Sequence, residues 1–153
     1  MLNIEILTIG SVKEKWIKEG IEQYLKRLSP YARIKIIELK AEAFGSSQKE
    51  KAKTIESQKI LDFLKNEKDS EIVFLDEYGK NSTSKEFGER LDKTINKVIF
   101  VIAGTLGYDR EILENKNTIS LSNMTFTHEM ARLVLLEQIY RGICITKGKE
   151  YHY

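Results

Sequence analysis

Two rhythms of apolar residues alternate along this chain. Leu2 to Ile9 is rich in Ile and Leu with Glu5 its one charge, and Gly10 and Ser11 follow, which predicts a buried strand ending in a turn. From Val12 the spacing changes to threes and fours: Val12, Trp16, Ile17, Ile21, Tyr24, Leu25 and Leu28 form one face of an amphipathic helix that Ser29 and Pro30 stop. Ile34 to Leu39 is the next strand, with Lys35 and Glu38 marking a less buried position. A small-residue loop, Ala41 to Gln48, leads into a charged, solvated helix over Lys49 to Lys65. Ile72 to Leu75 is a short apolar strand ending in Asp76, and the following EYGKNSTS reads as a turn. Thr83 with Glu86 three residues on is a capping box, starting a helix through Phe87, Leu91 and Ile95.

Val98 to Ala103 shows no alternation, so it is predicted to be buried on both faces, as strands of parallel sheets are. A glycine-bearing turn, GTLGYD, precedes a short helix around Arg110 to Leu113 and a strand over Thr118 to Leu121. The last helix, about His128 to Cys144, carries Met130, Leu133, Val134, Leu135, Leu136, Ile139, Tyr140, Ile143 and Cys144, more apolar surface than one stripe requires. A second subunit is expected to cover part of it. Strands alternate with helices throughout, which predicts an α/β fold with a mostly parallel sheet and helices on both faces. Ligands of such sheets sit beyond the carboxyl ends of the strands, so the loops after Leu75, Ala103 and Leu121 are expected to line one crevice.

Composition narrows the function. At 153 residues one domain over 1–153 is expected, large enough to bury a core unaided. A net charge of +2 is mild for a protein held to nucleic acid by phosphate contacts alone, so an RNA partner would be bound by shape as well. The single cysteine, Cys144, excludes an internal disulfide, and two histidines without a Cys/His cluster give no metal signature. A reducing cytoplasm is the expected location. Glu5 interrupts the apolar start, no basic segment precedes it and no cleavage site follows, and no stretch approaches the roughly 20 apolar residues of a membrane span.

The chemistry-bearing residues are candidates with plain alternatives. AGTLG, from Ala103, lets backbone approach a ligand, but is equally a tight turn, and it matches neither a dinucleotide fingerprint nor a P-loop. LSNMTF, Leu121 to Phe126, offers hydroxyls, an amide and main chain without charge, suited to adenine and ribose; Thr127 would cap the helix, with Ser122 and Asn123 serving the turn. His128 begins that helix, where the dipole disfavours its protonated form. Arg132, one turn on, is placed to hold a carboxylate or phosphate, and Glu137 with Arg141 makes an i, i+4 pair. The tail, KGKEYHY, is a frayed terminus or a nucleic-acid contact through Tyr151, His152 and Tyr153.

Taken together, SLSNMTFTHEMARLVLLEQIYRGI from Ser120, the closing GKEYHY, VIFVIAGTLG, LDEYGK and the opening LTIGSVKEKW closely resemble the RlmH family of SPOUT-class ribosomal RNA methyltransferases over the full length. The resemblance implies a deep C-terminal trefoil knot in roughly 72–153, an exception to the rule against threaded chains. It also implies a homodimer that binds S-adenosylmethionine and methylates N3 of a pseudouridine in 23S ribosomal RNA on the assembled ribosome. By position, Leu75, Ala103, Gly104, Leu121, Ser122, Asn123, Met124, Thr125 and Phe126 should contact the cofactor. His128, Arg132, Tyr151 and His152 fall on the acceptor-side motifs. The chain departs from the family in having Ala103-Gly104 for the usual Gly-Gly, and Tyr153 for the usual terminal Lys or Arg.

That chemistry is positioning plus removal of an imide proton, with His152 or Tyr151 the expected base or orienting group. The rival reading is a non-catalytic ribosome-binding protein that keeps the fold, which Ala103 would favour. A generic α/β nucleotide-binding enzyme is the other, disfavoured by the missing phosphate motifs.

Overall fold

The computed structural model describes residues 1–153. The elements follow the predicted order: β1 (Leu2–Ile9), α1 (Lys15–Leu28), β2 (Ala32–Leu39), α2 (Lys49–Leu64), β3 (Ser70–Asn81), α3 (Ser84–Asp92), β4 (Lys97–Ile102), a 3₁₀ helix (Arg110–Leu113), β5 (Thr118–Ser120) and α4 (His128–Thr146). The strands form one five-stranded sheet in the order β2-β1-β4-β3-β5, and every neighbouring pair is parallel. The central strands alternate between two cores. Ile4 and Ile6 of β1 with Val98, Phe100 and Ile102 of β4 face α1, α3 and α4, while Leu7, Ile9, Ile99 and Val101 face Ile60 of α2 and Leu113 of the 3₁₀ helix. Helices therefore cover both faces, which is why β4 carries apolar residues without alternation.

Helix termini are where their residues place them. Thr83 accepts from the Glu86 amide at 3.2 Å while the Glu86 carboxylate accepts from the Thr83 amide at 2.7 Å, completing the capping box. Thr127 likewise accepts from the Met130 amide at 3.2 Å. α3 and α4 pack through a glycine pair: a Cβ added to Gly88 would lie 2.8 Å from the Gly142 carbonyl oxygen, so larger residues would force these helices apart.

Three expectations are corrected. β3 does not end at Leu75, because its pairing with β5 resumes after a bulge: Ile119 is the partner of Leu75 and again of Lys80, and Ser120 pairs with Asn81. The expected turn EYGKNSTS is thus mostly strand, its polar character reflecting exposure, and the chain bends around Ile119 between the two pairings. Gly79 makes that bend possible, since a Cβ there would stand 2.7 Å from the Ile119 carbonyl carbon and 2.9 Å from its nitrogen. α2 is less solvated than its charges suggest, for Glu56 and Ser57 are buried along with Ala52 and Ile60. Finally, Trp16 and Ile95 point to solvent although their spacing placed them on apolar faces.

Candidate functional site

The bulged part of β3 and the loops that leave β4 and β5 surround a cavity of about 400 Å³ at the edge of the sheet. Leu75 to Tyr78 form one wall, Ala103 to Tyr108 a second, and Leu121, Ser122, Met124, Thr125 and Phe126 a third, with His128 and Ala131 of α4 closing the end. The expected crevice is therefore a real one, and its volume lies in the range of small-molecule sites, roughly 300–1,000 Å³.

Local chemistry shapes each wall. Gly104 is required by space, because a Cβ would fall 2.9 Å from Ile9 Cγ2 and 3.0 Å from Glu56 Oε1. Gly107, by contrast, is required by its φ of 77°, and its amide donates to the Gly104 carbonyl at 3.0 Å to close the turn. Ala103 keeps a negative φ and packs on the second core, so its methyl group is accommodated without backbone strain. In the third wall the Ser122 hydroxyl accepts from the Met124 amide at 3.0 Å, and the Ser120 hydroxyl shares its one proton between the carbonyls of Ser122 at 2.8 Å and Glu77 at 3.1 Å. The Thr125 hydroxyl donates to the Glu77 carboxylate. Two walls are thereby tied together.

Most charges around the cavity are matched. Arg110 grips Asp76 with two bonds of 2.8 and 3.0 Å and lies 5.3 Å from the centre of the Tyr78 ring. Lys53 pairs with Glu50 at 3.1 Å. Nothing here resembles a cradle of cations for phosphates. Tyr108 donates to the Val101 carbonyl at 2.7 Å, and burial pushes its phenol far above the usual range, so it is a wall and not an acid or base. His128 has a buried Nδ1 with no partner. Its burial and the nearby Arg132 guanidinium hold its pKa below the usual value, which keeps the ring neutral at pH 7. Arg110 and Lys53 were not among the expected site residues; each sits on a helix as one charge among many, without a local signal.

Other expected residues lie elsewhere. Asn123 is exposed and is outside the cavity lining. Arg132 is only 1% exposed; it holds Glu38 at 2.9 Å and donates to the Gly10 carbonyl at 3.2 Å, fastening the ends of β1 and β2 to α4. The carboxylate it grips is thus the protein's own. Tyr151 and His152 dock at the far end of α4, so this part of the tail is not frayed. Tyr151 meets Tyr140 edge to face at 4.8 Å, lies under Arg141 at 4.9 Å, bonds the Tyr24 hydroxyl at 3.0 Å and donates to Glu137 at 3.2 Å. Arg141 is in turn paired with Glu137 at 2.6 Å and lies 3.2 Å from His152 Nδ1. A guanidinium can only donate, so that nitrogen's lone pair is occupied. Burial, Tyr24 and Glu137 push the Tyr151 phenol well above its ordinary range. The Tyr151 phenol therefore holds its proton in this pose, and thirteen residues of helix at 1.5 Å each place Arg141 about 20 Å from His128.

The family model described as "Predicted SPOUT methyltransferase" matches residues 2–152. Two proteins named "Ribosomal RNA large subunit methyltransferase H" are similar over almost their whole length. The one from Kosmotoga olearia is 45% identical over 99% of this chain and 100% of its own, and the one from Bacillus thuringiensis (strain Al Hakam) is 42% identical over 99% of each. Among solved structures, that of "a probable methylase family protein" from Haemophilus influenzae Rd KW20 superposes with a TM-score of 0.62 at 13% identity, over 99% of this chain and 71% of that one, a likeness of fold.

Proposed function

The chain belongs to the SPOUT methyltransferase family, beside relatives called ribosomal RNA large subunit methyltransferase H, and from that premise we propose that it methylates N3 of a pseudouridine in 23S ribosomal RNA, on the assembled ribosome in the cytoplasm, using S-adenosylmethionine. The observation that carries this is the cavity itself, walled by the bulge of β3 and the loops after β4 and β5 with main chain, hydroxyls and apolar side chains, and with no phosphate cradle. A phosphorylated nucleotide is the poorer fit. Leu75, Ala103, Gly104, Leu121, Ser122, Met124, Thr125 and Phe126 would hold the cofactor, which when bound supplies a methyl group activated by a sulfonium. This function implies a knot over roughly 72–153 of one domain.

The chemistry left to the protein is to place the acceptor ring and remove its imide proton. His128 lines the cavity and, being neutral, can accept or donate a hydrogen bond at the acceptor. Arg132 contributes by position, holding the strand ends against which His128 rests. Tyr151 and His152 are proposed to act from a partner subunit, after leaving the docked pose, because their own cavity lies about 20 Å away along α4. Homodimerisation is supported by the half-buried face of Met130, Leu133, Val134 and Tyr140, of which Val134 joins neither core.

Calorimetry with S-adenosylmethionine is the first test, and the absence of binding at millimolar cofactor would sink the enzyme reading in favour of a non-catalytic ribosome-binding protein. Mass spectrometry of ribosomal RNA from cells with and without the gene should then show one methyl group lost from a pseudouridine.

A further inference from the structure

We propose that Glu77 binds a cationic centre of the cofactor. The inference rests on the cofactor proposed above and concerns a residue that the family's cofactor motif does not include. Of the ionised side chains lining the cavity, Asp76 is neutralised by Arg110 and Lys53 by Glu50, whereas Glu77 has no cation within ion-pair distance. Arg110 feels Glu77 only at longer range, its fork being spent on both Asp76 oxygens. Glu77 is therefore the one carboxylate of the lining without an ion-pair partner.

That charge is held in place. Ser120 donates to the Glu77 carbonyl at 3.1 Å, and Thr125 donates to Oε2, so both the backbone and one carboxylate oxygen are anchored to the third wall. Oε1 has no partner and remains an acceptor. A half-buried carboxylate fixed in this way loses little entropy on meeting a cation and is screened less than one on open surface. S-adenosylmethionine carries a sulfonium, an ammonium and a carboxylate, so it offers two cationic centres to this unpaired carboxylate. Its demethylated product, S-adenosylhomocysteine, keeps the ammonium and loses the sulfonium, and 5′-methylthioadenosine has neither.

Titration calorimetry of the full chain and of Glu77→Gln with these three ligands tests the assignment. Gln keeps an acceptor for Thr125, so the tie between the walls is retained, and an unchanged thermal melt confirms it. Loss of a charge-assisted contact predicts S-adenosylmethionine binding weaker by about tenfold or more, with 5′-methylthioadenosine changed less than twofold. An unchanged S-adenosylhomocysteine affinity then assigns the contact to the sulfonium, and an equal loss assigns it to the ammonium. Equal S-adenosylmethionine affinity in both proteins, or a parallel loss for all three ligands, overturns the proposal while leaving the function intact. If the unaltered chain binds none of the three, the proposed function falls and this inference with it.

Discussion

At its N-terminal end α4 borders a void, and at its C-terminal end it supports a filled cluster. The cavity end is shaped by backbone: Gly104 and Gly79 are small because strands and side chains press on them, and the hydroxyls of Ser120, Ser122 and Thr125 are spent on holding loops. The far end is shaped by side chains, with Glu137 bonded to Arg141, Gln138 and Tyr151 at once. Backbone walls leave a space that a ligand can fill without displacing anything. Stacked rings and ion pairs leave none, but they can release a tail and take it back, because half-exposed pairs are individually weak. Under the proposed function the first end binds the cofactor beside His128, and the second stores Tyr151 and His152, which would act in the cavity of a partner subunit.

The largest effect expected is the separation of these two tasks. A chain ending at Glu150, lacking Tyr151, His152 and Tyr153, should bind S-adenosylmethionine within about twofold of the full chain, yet methylate ribosomes at least roughly a hundredfold more slowly, as loss of a general base typically does. An unchanged rate would refute the tail's catalytic part. Mixing this truncated chain with His128→Ala chains tests the meeting between subunits, since mixed dimers should recover activity that neither parent shows.

Next in size is Gly79→Ala. A Cβ 2.7 Å from backbone has no flexible neighbour to displace, so the substitution should cost about 3 kcal/mol in urea unfolding and weaken cofactor binding with it. Gly148→Ala near the tail meets open space and is strained only by its φ of 63°, so about 1 kcal/mol is expected and no change in cofactor affinity. Equal costs would mean that the bend around Ile119 is looser than the contact distances indicate.

The two arginines of α4 give a smaller contrast. Arg132→Ala removes a cation buried to 1% exposure and leaves a void, for about 2 kcal/mol by thermal or urea unfolding. Arg141→Ala should cost less than about 1 kcal/mol, being a partly exposed pair. The smallest effect is pH dependence at the cavity end. His128 has its pKa lowered on folding, so the unfolded chain binds the proton more readily. Stability from this group is whole above its ordinary pKa of about 6.5 and is lost as pH falls from there through the lowered folded value. Arg132, Glu129 and Lys13 are the charges that act on it. His128→Gln should flatten the melting temperature between pH 7 and pH 5, and an unaltered slope would show that another group controls it.

Much of this arrangement could be read from the chain before any coordinates. β1 has the expected bounds, Thr83 and Thr127 cap as their spacing requires, and the three expected segments line one cavity because the parallel sheet brings them to one edge, although Asp76 to Gly79 is strand and not loop. Glu56 was hidden in a run of charges, and the orphaned Oε1 beside Gly104 has no counterpart in any local pattern. Arg132 stood out as a charge in an apolar helix, which is correct, but its partner lies 94 residues away on β2. Tyr151 looked frayed because terminal residues usually are, and only the neighbouring rings and Glu137 hold it.

The division follows the range of the forces involved. Periodicity, caps and turn residues act within a few positions, so the sequence by itself determined the order of elements, the parallel sheet with two covered faces, the family resemblance and the loops at the sheet's edge. Strand pairing, ion pairing and the burial of charge depend on residues far apart in the chain. Those decided that β3 continues around Ile119, that Arg132 is spent on Glu38, that Glu77 alone lacks a counterion in the cavity, and that the tail docks a helix length away from the site its motif suggests.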